Sequence, residues 1–209
     1  MGYGRIVSEA DNFDYPITSD DVLWTARMLT REGGNHAATL WTMTQRAVQV
    51  DIAKPGSRYP SFTSYVRAYS QPINPKWAEG GQFCPTPDDN WCSPARLAVR
   101  ASVSSRPWSE ISPEIRALVT QWAEGKLPNP VPGAVHFRAD DETAAAQLRA
   151  GTHILKLRAG NVYTAMPETQ HWTADRVRIV AGRPGWLWAL GGGALAGMAY
   201  LGYSWLSKR

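Results

Sequence analysis

Residues 185–206 constrain the fold more than any other stretch, because they contain no charged side chain. The segment reads GWLWALGGGALAGMAYLGYSWL, with Trp and Tyr near both ends and with Arg183 and Lys208 just outside it. A helix of this length spans roughly the 30 Å hydrocarbon thickness of a bilayer, and the terminal aromatic residues suit its interfaces. A buried helix of a soluble domain is the alternative, but five glycines among the first thirteen residues weaken it in water. We therefore predict a single transmembrane helix.

The predicted membrane helix also carries small residues at a spacing that suits helix pairing. Gly193 and Gly197 form a GxxxG step, which lets two helices approach closely in lipid. Positive residues flank the helix on both sides, so the positive-inside rule does not decide its orientation. The first residues of the chain lack the apolar core of a signal peptide. These features predict a single-pass protein with a C-terminal anchor, in the membrane of a virion or of a bacterial envelope.

The composition of the chain suits a packed domain rather than a nucleic-acid-binding one. Hydrophobic residues make up 44% of the chain and charged residues 19%. The net charge is +4, but the positive residues form no basic run, so we predict no nucleic-acid partner. Metal-binding HExxH, phosphate-binding Walker and dinucleotide-binding glycine motifs are absent, and the four histidines are too dispersed for a zinc site. We therefore predict no cofactor and no metal.

Cys84 and Cys92 lie in a Pro- and Gly-rich stretch, residues 72–94, that interrupts the helical pattern. Their short separation, with Pro and Asp between them, suits a small loop closed by a disulfide in an oxidising compartment. Two free thiols are the alternative that the sequence leaves open.

The pattern over residues 18–176 predicts a mainly α domain with a small late β portion. Residues 1–17 are expected to form an irregular lead, and residues 177–184 a short linker to the anchor. Helices are predicted from Thr18 or Ser19 to the glycines at 33–34, over 37–52, 61–69 and 95–104, and from the N-cap Ser112 to Gly125. Strands are predicted at 134–137, 152–159 and 161–166.

Glu32 is the residue best placed for chemistry. It ends the first predicted helix in the sequence ARMLTREGG, and two glycines follow that allow a tight turn and the close approach of a ligand. A carboxyl group half sheltered by a helix and a loop can have a raised pKa and act as a general acid on a glycosidic oxygen. The alternative is a solvated glutamate beside Arg27 and Arg31 at a helix end.

Four sequence blocks follow one another in an order that resembles a known group. The Glu32 segment is followed by LWTMTQRAV at residues 40–48, by a block running from Ser61 to YSQPINP at 69–75, and by PGAVHF at 132–137. In this order they resemble bacterial cell-wall hydrolases of the spore-cortex-lytic group and phage virion-associated murein-degrading proteins. The resemblance covers roughly residues 20–140 and implies a lysozyme-like α+β fold.

This resemblance implies a peptidoglycan lytic transglycosylase or muramidase, with Glu32 as the catalytic acid and glycan strands as the substrate. One carboxyl group suffices for a transglycosylase, whereas a hydrolase usually needs a second carboxylate about 5–9.5 Å away. No second acid shares a pattern with Glu32, which favours the transglycosylase; the acids considered are Asp51, Glu79, Asp88 and Asp89. The residues expected to line the sugar-binding wall are Tyr65, Tyr69, Ser70, Gln71, Trp77 and His136.

Alternatives remain open for the binding residues and for the function. Tyr65 and Tyr69 are four residues apart on a predicted helix and suit a core as well as a sugar-binding wall. His136 lies in an apolar run, at a position where the group more usually has a tyrosine. The leading hypothesis is a membrane-anchored murein-cleaving enzyme of a phage particle, used for host-cell entry or lysis.

Two other functions compete with this one. The first is a non-enzymatic membrane or virion structural protein that keeps a lysozyme-like domain for binding glycan. The second is a bacterial envelope protein with a different substrate. Cleavage of purified peptidoglycan separates the enzyme from the structural protein, since only the enzyme releases new chain ends.

Overall fold

Residues 2–32, 34–70, 73, 93–139, 153–158 and 160–182 are described by the structure, a computed structural model, with backbone alone for 153–158. They form five α-helices and two three-stranded sheets, a mixed α/β arrangement. The helices are α1 (Ser19–Leu29), α2 (His36–Gln49), α3 (Phe62–Tyr69), α4 (Pro94–Ser105) and α5 (Pro113–Ala123). The strands are β1 (Arg5–Ser8), β2 (Phe13–Pro16), β3 (Ala134–Ala139), β4 (His153–Arg158), β5 (Asn161–Ala165) and β6 (Arg178–Val180).

Polar caps explain where the helices begin. At the start of α1 the Thr18 hydroxyl accepts a hydrogen bond from the Asp21 N–H, while the Asp21 carboxylate accepts one from the Thr18 N–H. This reciprocal pair satisfies two backbone donors that the first turn leaves free. Asn35 caps α2, and Ser112 caps α5, which begins with a proline. The helices predicted from the sequence are confirmed, with ends shifted by no more than a few residues.

The N-terminal residues belong to a sheet, so the prediction of an irregular lead over residues 1–17 is wrong. β1 pairs in antiparallel fashion with β2 on one side and with β6 on the other. Ile6 of β1 is buried and lies opposite Tyr15 and Ile179. β6 occupies the segment expected to be a linker. Strands of three or four residues are too short for their pattern to be recognised, and β1 meets β6 only in the folded chain.

The second sheet has the strand order β3–β5–β4 and confirms the late β structure. α2 packs against β3, and the buried amide of Gln45 fixes this contact. It donates to the carbonyl oxygens of Val131 and Ala134 at 3.0 and 2.9 Å. It accepts from the Asn129 side chain and the Gly133 N–H at 3.2 and 2.7 Å. Its two donors and its oxygen are all engaged, which holds the turn before β3 on α2.

A core of buried apolar side chains joins the helices to both sheets. Phe62 of α3 and Trp122 of α5 are fully buried, with ring centroids 5.4 Å apart. The Trp122 Nε1 donates to the Thr44 hydroxyl of α2 at 3.0 Å. These contacts hold α2, α3 and α5 together and leave the C-terminal ends of α1 and α3 to form the site.

The predicted membrane helix over residues 185–206, with Gly193 and Gly197, lies outside the described residues. The same holds for Cys84 and Cys92. Within the part of the chain that the structure describes, no helix is long and apolar enough to cross a bilayer. The anchor, its helix pairing and the disulfide therefore stay predictions.

Candidate active site

Glu32 lies in a turn that extends α1 beyond its last helical residue. The N–H groups of Arg31 and Glu32 both donate to the Met28 carbonyl oxygen at 3.1 Å. His36, at the start of α2, has its Nε2 3.2 Å from the Glu32 carbonyl oxygen. Contacts from both helices thus hold the Glu32 backbone, and the predicted position of this carboxylate at a helix end is confirmed.

Ser70 holds the side chain of Glu32. It caps the C-terminal end of α3, donates its N–H to the Val66 carbonyl oxygen at 2.9 Å and is 2% exposed. Its hydroxyl donates to the Glu32 Oε1 at 2.7 Å. The sequence predicts Ser70 in the sugar-binding wall, but its hydroxyl faces the acid and its surface is covered. Ser70 therefore orients Glu32 instead of lining the wall.

Burial raises the pKa of the Glu32 carboxyl above its ordinary value. The hydrogen bond from Ser70 opposes this shift, because it stabilises the carboxylate, but burial is the larger effect. The shift thus originates in burial rather than in a neighbouring acid. A carboxyl group of this kind stays protonated to higher pH than a solvated glutamate, as a general acid requires.

Polar contacts join α1 and α3 at both ends and show that the two helices run in the same direction. At the N-terminal end, the Asp21 carboxylate of α1 accepts from the N–H and the hydroxyl of Thr63 in α3, both at 2.8 Å. At the C-terminal end, Ser70 after α3 meets Glu32 after α1. Asp21 thereby sets the position of Ser70 relative to Glu32 from about three helical turns away.

Tyr69 and His136 form a second polar pair near the acid. The Tyr69 hydroxyl lies 3.0 Å from the His136 Nδ1, and both side chains are half-buried. Burial raises the pKa of Tyr69; Arg46 opposes this shift, and the charge of Glu32 adds to it. Burial lowers the pKa of His136; Arg46 adds to this shift, and Glu168 opposes it. Both groups are therefore neutral near neutral pH, and both stay candidates for binding sugar hydroxyls.

Arg46 of α2 supplies the positive charge beside this pair. Its Nη1 donates to the Gln49 Oε1 at 2.5 Å, and the Gln49 Nε2 donates to the Glu168 Oε1 at 2.6 Å. The Nε of Arg46 is buried and has no hydrogen-bond partner among the described atoms. Arg46 belongs to the LWTMTQRAV block, but the sequence does not predict it as a site residue. The sequence feature that could have identified it is that Arg46 is the one charged residue in the stretch 37–50.

Tyr65 lies in the core, so the prediction that it binds substrate is wrong. It is 1% exposed, and its hydroxyl contacts the Met43 sulfur at 3.8 Å. Its ring centroid lies 5.3 Å from that of Tyr59 and 5.6 Å from that of Tyr69. Tyr65 stands one helical turn before Tyr69, where side chains from α2 and from the loop before α3 cover it.

The turn after Glu32 packs against the second sheet. Gly34 has a φ of +83°, and a Cβ at this position would lie 2.5 Å from the side-chain nitrogen of Asn161. The Tyr163 hydroxyl donates to the Asn35 carbonyl oxygen at 3.1 Å. Glycine at position 34 therefore permits a left-handed backbone and close contact with β5. Gly34 thus allows close packing of the turn on the sheet rather than the close approach of a ligand that the sequence suggests, and Gly33 lies outside the described residues.

Several other candidates do not join the described site. Gln71 and Trp77 lie outside the described residues and stay predictions. Asp51 is exposed and forms an ion pair with Lys54 at 2.6 Å. In the described ranges, no group of three or more His, Cys, Asp or Glu side chains could hold a metal ion. Among the described residues, the sequence-predicted acid that joins the site is Glu32, and the exposed Glu168 lies at its edge through Gln49.

The described candidate site comprises Glu32, Ser70, Tyr69, His136 and Arg46. Comparison of the chain with protein-family models, with curated proteins and with solved structures finds no match. A functional interpretation therefore rests on the geometry of these residues, together with the resemblance of the sequence blocks to cell-wall-cleaving proteins.

Proposed function

We propose that this protein is a membrane-anchored peptidoglycan-cleaving enzyme with a lysozyme-like domain. More specifically, it is a lytic transglycosylase that cleaves the bond between N-acetylmuramic acid and N-acetylglucosamine. One observation carries the proposal: the partly buried Glu32 carboxyl, whose pKa is raised by burial, accepts a hydrogen bond from Ser70. A glycosidic oxygen needs a proton donor of this kind as its bond breaks.

In the proposed reaction Glu32 acts first as an acid and then as a base. Its protonated carboxyl gives a proton to the glycosidic oxygen, and the bond from that oxygen to C1 of the muramic acid breaks. The 6-hydroxyl oxygen of the same sugar then bonds to C1, and its proton passes to the Glu32 carboxylate. A 1,6-anhydro ring forms, no water is consumed, and Glu32 ends protonated again.

Ser70 suits both halves of this cycle. Burial favours the protonated carboxyl that the first step needs, whereas the Ser70 hydrogen bond favours the carboxylate that the second step needs. The two effects act in opposite directions, and burial is the larger of them. Because Ser70 is buried and its backbone is held by α3, its hydroxyl also limits the orientations open to the carboxyl.

A transglycosylase is favoured over a hydrolase because, within the described residues, Glu32 is the acid that carries the site, while Glu168 is exposed and bonded to Gln49. A hydrolase usually needs a second carboxylate about 5–9.5 Å from the first. Asp51 is exposed and engaged by Lys54, and the pKa of Glu32 is raised by burial and not by another acid. The remaining acids considered, Glu79, Asp88 and Asp89, lie outside the described residues.

Tyr69 and His136 are proposed to bind the sugar beside Glu32. The pair is half-buried and polar, and the charge of Glu32 acts on Tyr69. A neutral phenol and a neutral imidazole can each donate and accept hydrogen bonds with hydroxyl and N-acetyl groups. Gln71 and Trp77 remain proposed members of the same wall.

The predicted helix over residues 185–206 would hold the domain close to a bilayer. We place this membrane in a virion or a bacterial envelope, where the enzyme would reach peptidoglycan during host-cell entry or lysis. The described residues end at 182, only a few residues before the predicted helix. The enzyme would therefore act near the membrane that anchors it.

Purified peptidoglycan tests the proposal directly. The full-length chain in detergent, its Glu32→Gln variant and a Glu110→Gln control are incubated with peptidoglycan, and the products are analysed by mass spectrometry. Glu110 is exposed, so this control removes the same charge away from the site. We expect anhydro-ended muropeptides from the wild type and the control, and a rate about 10³-fold lower for Glu32→Gln.

Each other outcome changes the assignment. Equal rates for Glu32→Gln and the wild type would remove Glu32 from the mechanism. Products with reducing ends would identify a hydrolase. Binding of glycan without any cleavage would support the non-enzymatic structural protein.

A further inference from the structure

An open groove of about 440 Å³ lies beside the Glu32 turn, between the C-terminal end of α1 and the side of α4. We call it the α1–α4 groove. Its lining residues are Thr30, Arg31, Ala98, Val99, Ser102, Val103 and Arg106. Binding sites for small ligands commonly have volumes of about 300–1,000 Å³, so this groove has room for a short peptide.

The two sides of the groove differ in chemistry. Small apolar side chains of α4 form its floor, and among them Val99 is 39% exposed. Arg31 and Arg106 bring positive charge to it; Arg31 is exposed and Arg106 is half-buried. In the described part of the chain, neither guanidinium forms an ion pair with a carboxylate. The groove thus offers two cationic hydrogen-bond donors above an apolar surface.

Neighbouring arginines increase the positive potential at this end of α1. Arg27 and Arg67 both stack on Trp24, with their guanidinium carbons 4.6 and 4.3 Å from the ring centroid. The Arg27 Nε donates to the Arg106 carbonyl oxygen at 2.8 Å, which ties α1 to the end of α4. An anionic group that enters the groove therefore meets Arg31 and Arg106 directly, and Arg27 and Arg67 add positive charge behind them.

We propose that the α1–α4 groove binds an acidic peptide that is attached to the glycan, the stem peptide of peptidoglycan. Carboxylates of the peptide would pair with Arg31 and Arg106, and its small apolar side chains would lie on the floor near Val99. This inference rests on the proposed function, because a stem peptide is attached to the muramic acid whose C1 reacts. Arg31 directly precedes Glu32, so their Cα atoms are about 3.8 Å apart and the groove begins beside the backbone of the Glu32 turn.

Other anionic partners fit the groove less well. A phosphate polymer or an anionic lipid surface presents a uniform row or sheet of charge and no small apolar side chains. Two arginines at the groove and a floor of alanine and valine suit a short chain with spaced carboxylates. The groove chemistry therefore favours the peptide.

Direct binding tests this inference without any need for catalysis. The probe is a synthetic tetrapeptide with the composition of a stem, alanine, glutamate, a diamino acid and alanine, titrated calorimetrically into the full-length Glu32→Gln protein. In that background we expect the double variant Arg31→Gln/Arg106→Gln to bind about tenfold more weakly. The Arg106→Gln change leaves the backbone carbonyl that accepts from Arg27. A peptide whose carboxylates are amidated should bind the Glu32→Gln protein about as weakly as the unmodified peptide binds the double variant.

A matched control removes the same number of charges elsewhere. Arg5→Gln/Arg178→Gln alters two exposed arginines of the first sheet, which pair with Asp14 and Glu9 there. This control should bind the peptide as the background does. A second groove variant, Val99→Glu, adds a negative charge to an exposed position of the floor, and it should also weaken binding. This variant tests peptide binding by the groove while both arginines are kept.

Cleavage supplies a second readout with the Glu32 wild type. On peptide-bearing glycan the groove variants should raise KM, whereas on glycan stripped of its peptides by an amidase they should match the wild type. If the peptide binds in a way that depends on Arg31 and Arg106 but no glycan is cleaved, the groove is a peptide-binding site and the proposed enzymatic function is wrong. If the enzyme cleaves glycan but the groove variants bind the peptide as the background does, the proposed role of the groove in peptide binding is wrong. Tighter binding of polyphosphate or of phosphatidylglycerol vesicles than of the peptide would also contradict it.

Discussion

Asp21 and Glu32 are carboxylates at opposite ends of α1, and their hydrogen bonding differs sharply. Asp21 is 1% exposed and accepts five hydrogen bonds. The donors are the backbone and hydroxyl groups of Thr18 and Thr63 and the hydroxyl of Tyr15. Glu32 is partly buried and accepts one described hydrogen bond, from Ser70. Burial without matching donors raises its pKa.

The comparison shows how the number of donors sets the role of a sheltered carboxyl group. Donors occupy both oxygens of Asp21, so this carboxylate is a fixed structural link between the N-terminal ends of α1 and α3. Glu32 has one donor among the described residues, which leaves its second oxygen available for the proton transfer that we propose. The first carboxylate holds the helices that position the second.

Removal of Asp21 is expected to have the largest effect. Asp21→Ala deletes the capping box and leaves the half-buried donors of Thr63 and the buried hydroxyl of Tyr15 without their acceptor, so the free energy of unfolding should fall by about 3 kcal/mol. Urea unfolding followed by tryptophan fluorescence measures this change. Asp20→Ala is the control, because Asp20 is exposed in the same turn and should contribute less than about 1 kcal/mol. Equal effects of the two substitutions would show that the Asp21 network does not stabilise the fold.

Ser70→Ala should have an intermediate effect, on activity. The hydroxyl orients the Glu32 carboxyl, so its loss should lower kcat about tenfold. Its hydrogen bond also lowers the pKa of Glu32 against the effect of burial. Without it the pKa rises further, the acid stays protonated to higher pH, and the alkaline limb of the pH–rate profile moves to higher pH.

The pH profile separates positioning by Ser70 from a general loss of stability. Ser109→Ala, at an exposed serine, should leave both the rate and the profile unchanged. A lower rate for Ser70→Ala with an unmoved or downward-shifted alkaline limb would contradict the proposed contact with the carboxylate.

On stability, Glu32→Gln should have a smaller effect than Asp21→Ala, and one of the opposite sign. The folded pKa of Glu32 lies above its unfolded value. The wild type therefore has its full stability below the unfolded pKa and loses part of it as pH rises through the folded pKa. Glu32→Gln cannot ionise and lacks this loss. The variant should be more stable than the wild type near neutral pH, and the difference should shrink in acid.

Unfolding curves at about pH 4 and about pH 8 measure this difference. Glu110→Gln, at an exposed acid, should show little change of relative stability between the two conditions. A Glu32→Gln variant that is less stable than the wild type at the higher pH would mean that the Glu32 carboxylate is well solvated or paired.

The helices could be predicted from the sequence because the signals that define them are local. Thr18 and Asp21 form a capping box within four residues, and Ser112 precedes a proline at the start of α5. The apolar spacing along each helix is equally local. These patterns also place Glu32 at the end of α1. The resemblance to cell-wall-cleaving proteins then suggested a role for it.

The site around Glu32 was less predictable because its contacts join distant segments. Ser70 stands in a block expected to bind sugar, and only the parallel arrangement of α1 and α3 turns its hydroxyl to Glu32. Tyr65 and Tyr69 share a helix and a residue type, yet Tyr65 is covered and Tyr69 reaches His136. Periodicity shows that two residues share a helix face but not which of them a neighbouring element covers.

The sequence by itself determined the helices, the late strands and the position of Glu32 at a helix end, because caps and periodicity act within a few residues. The predicted membrane helix over residues 185–206 follows from the same kind of local signal. Tertiary structure alone decided the first sheet, in which β1 pairs with β6, and the contact between Glu32 and Ser70, 38 residues apart. Burial and hydrogen-bond donors from distant segments set the pKa of Glu32, and these exist only once the chain is folded.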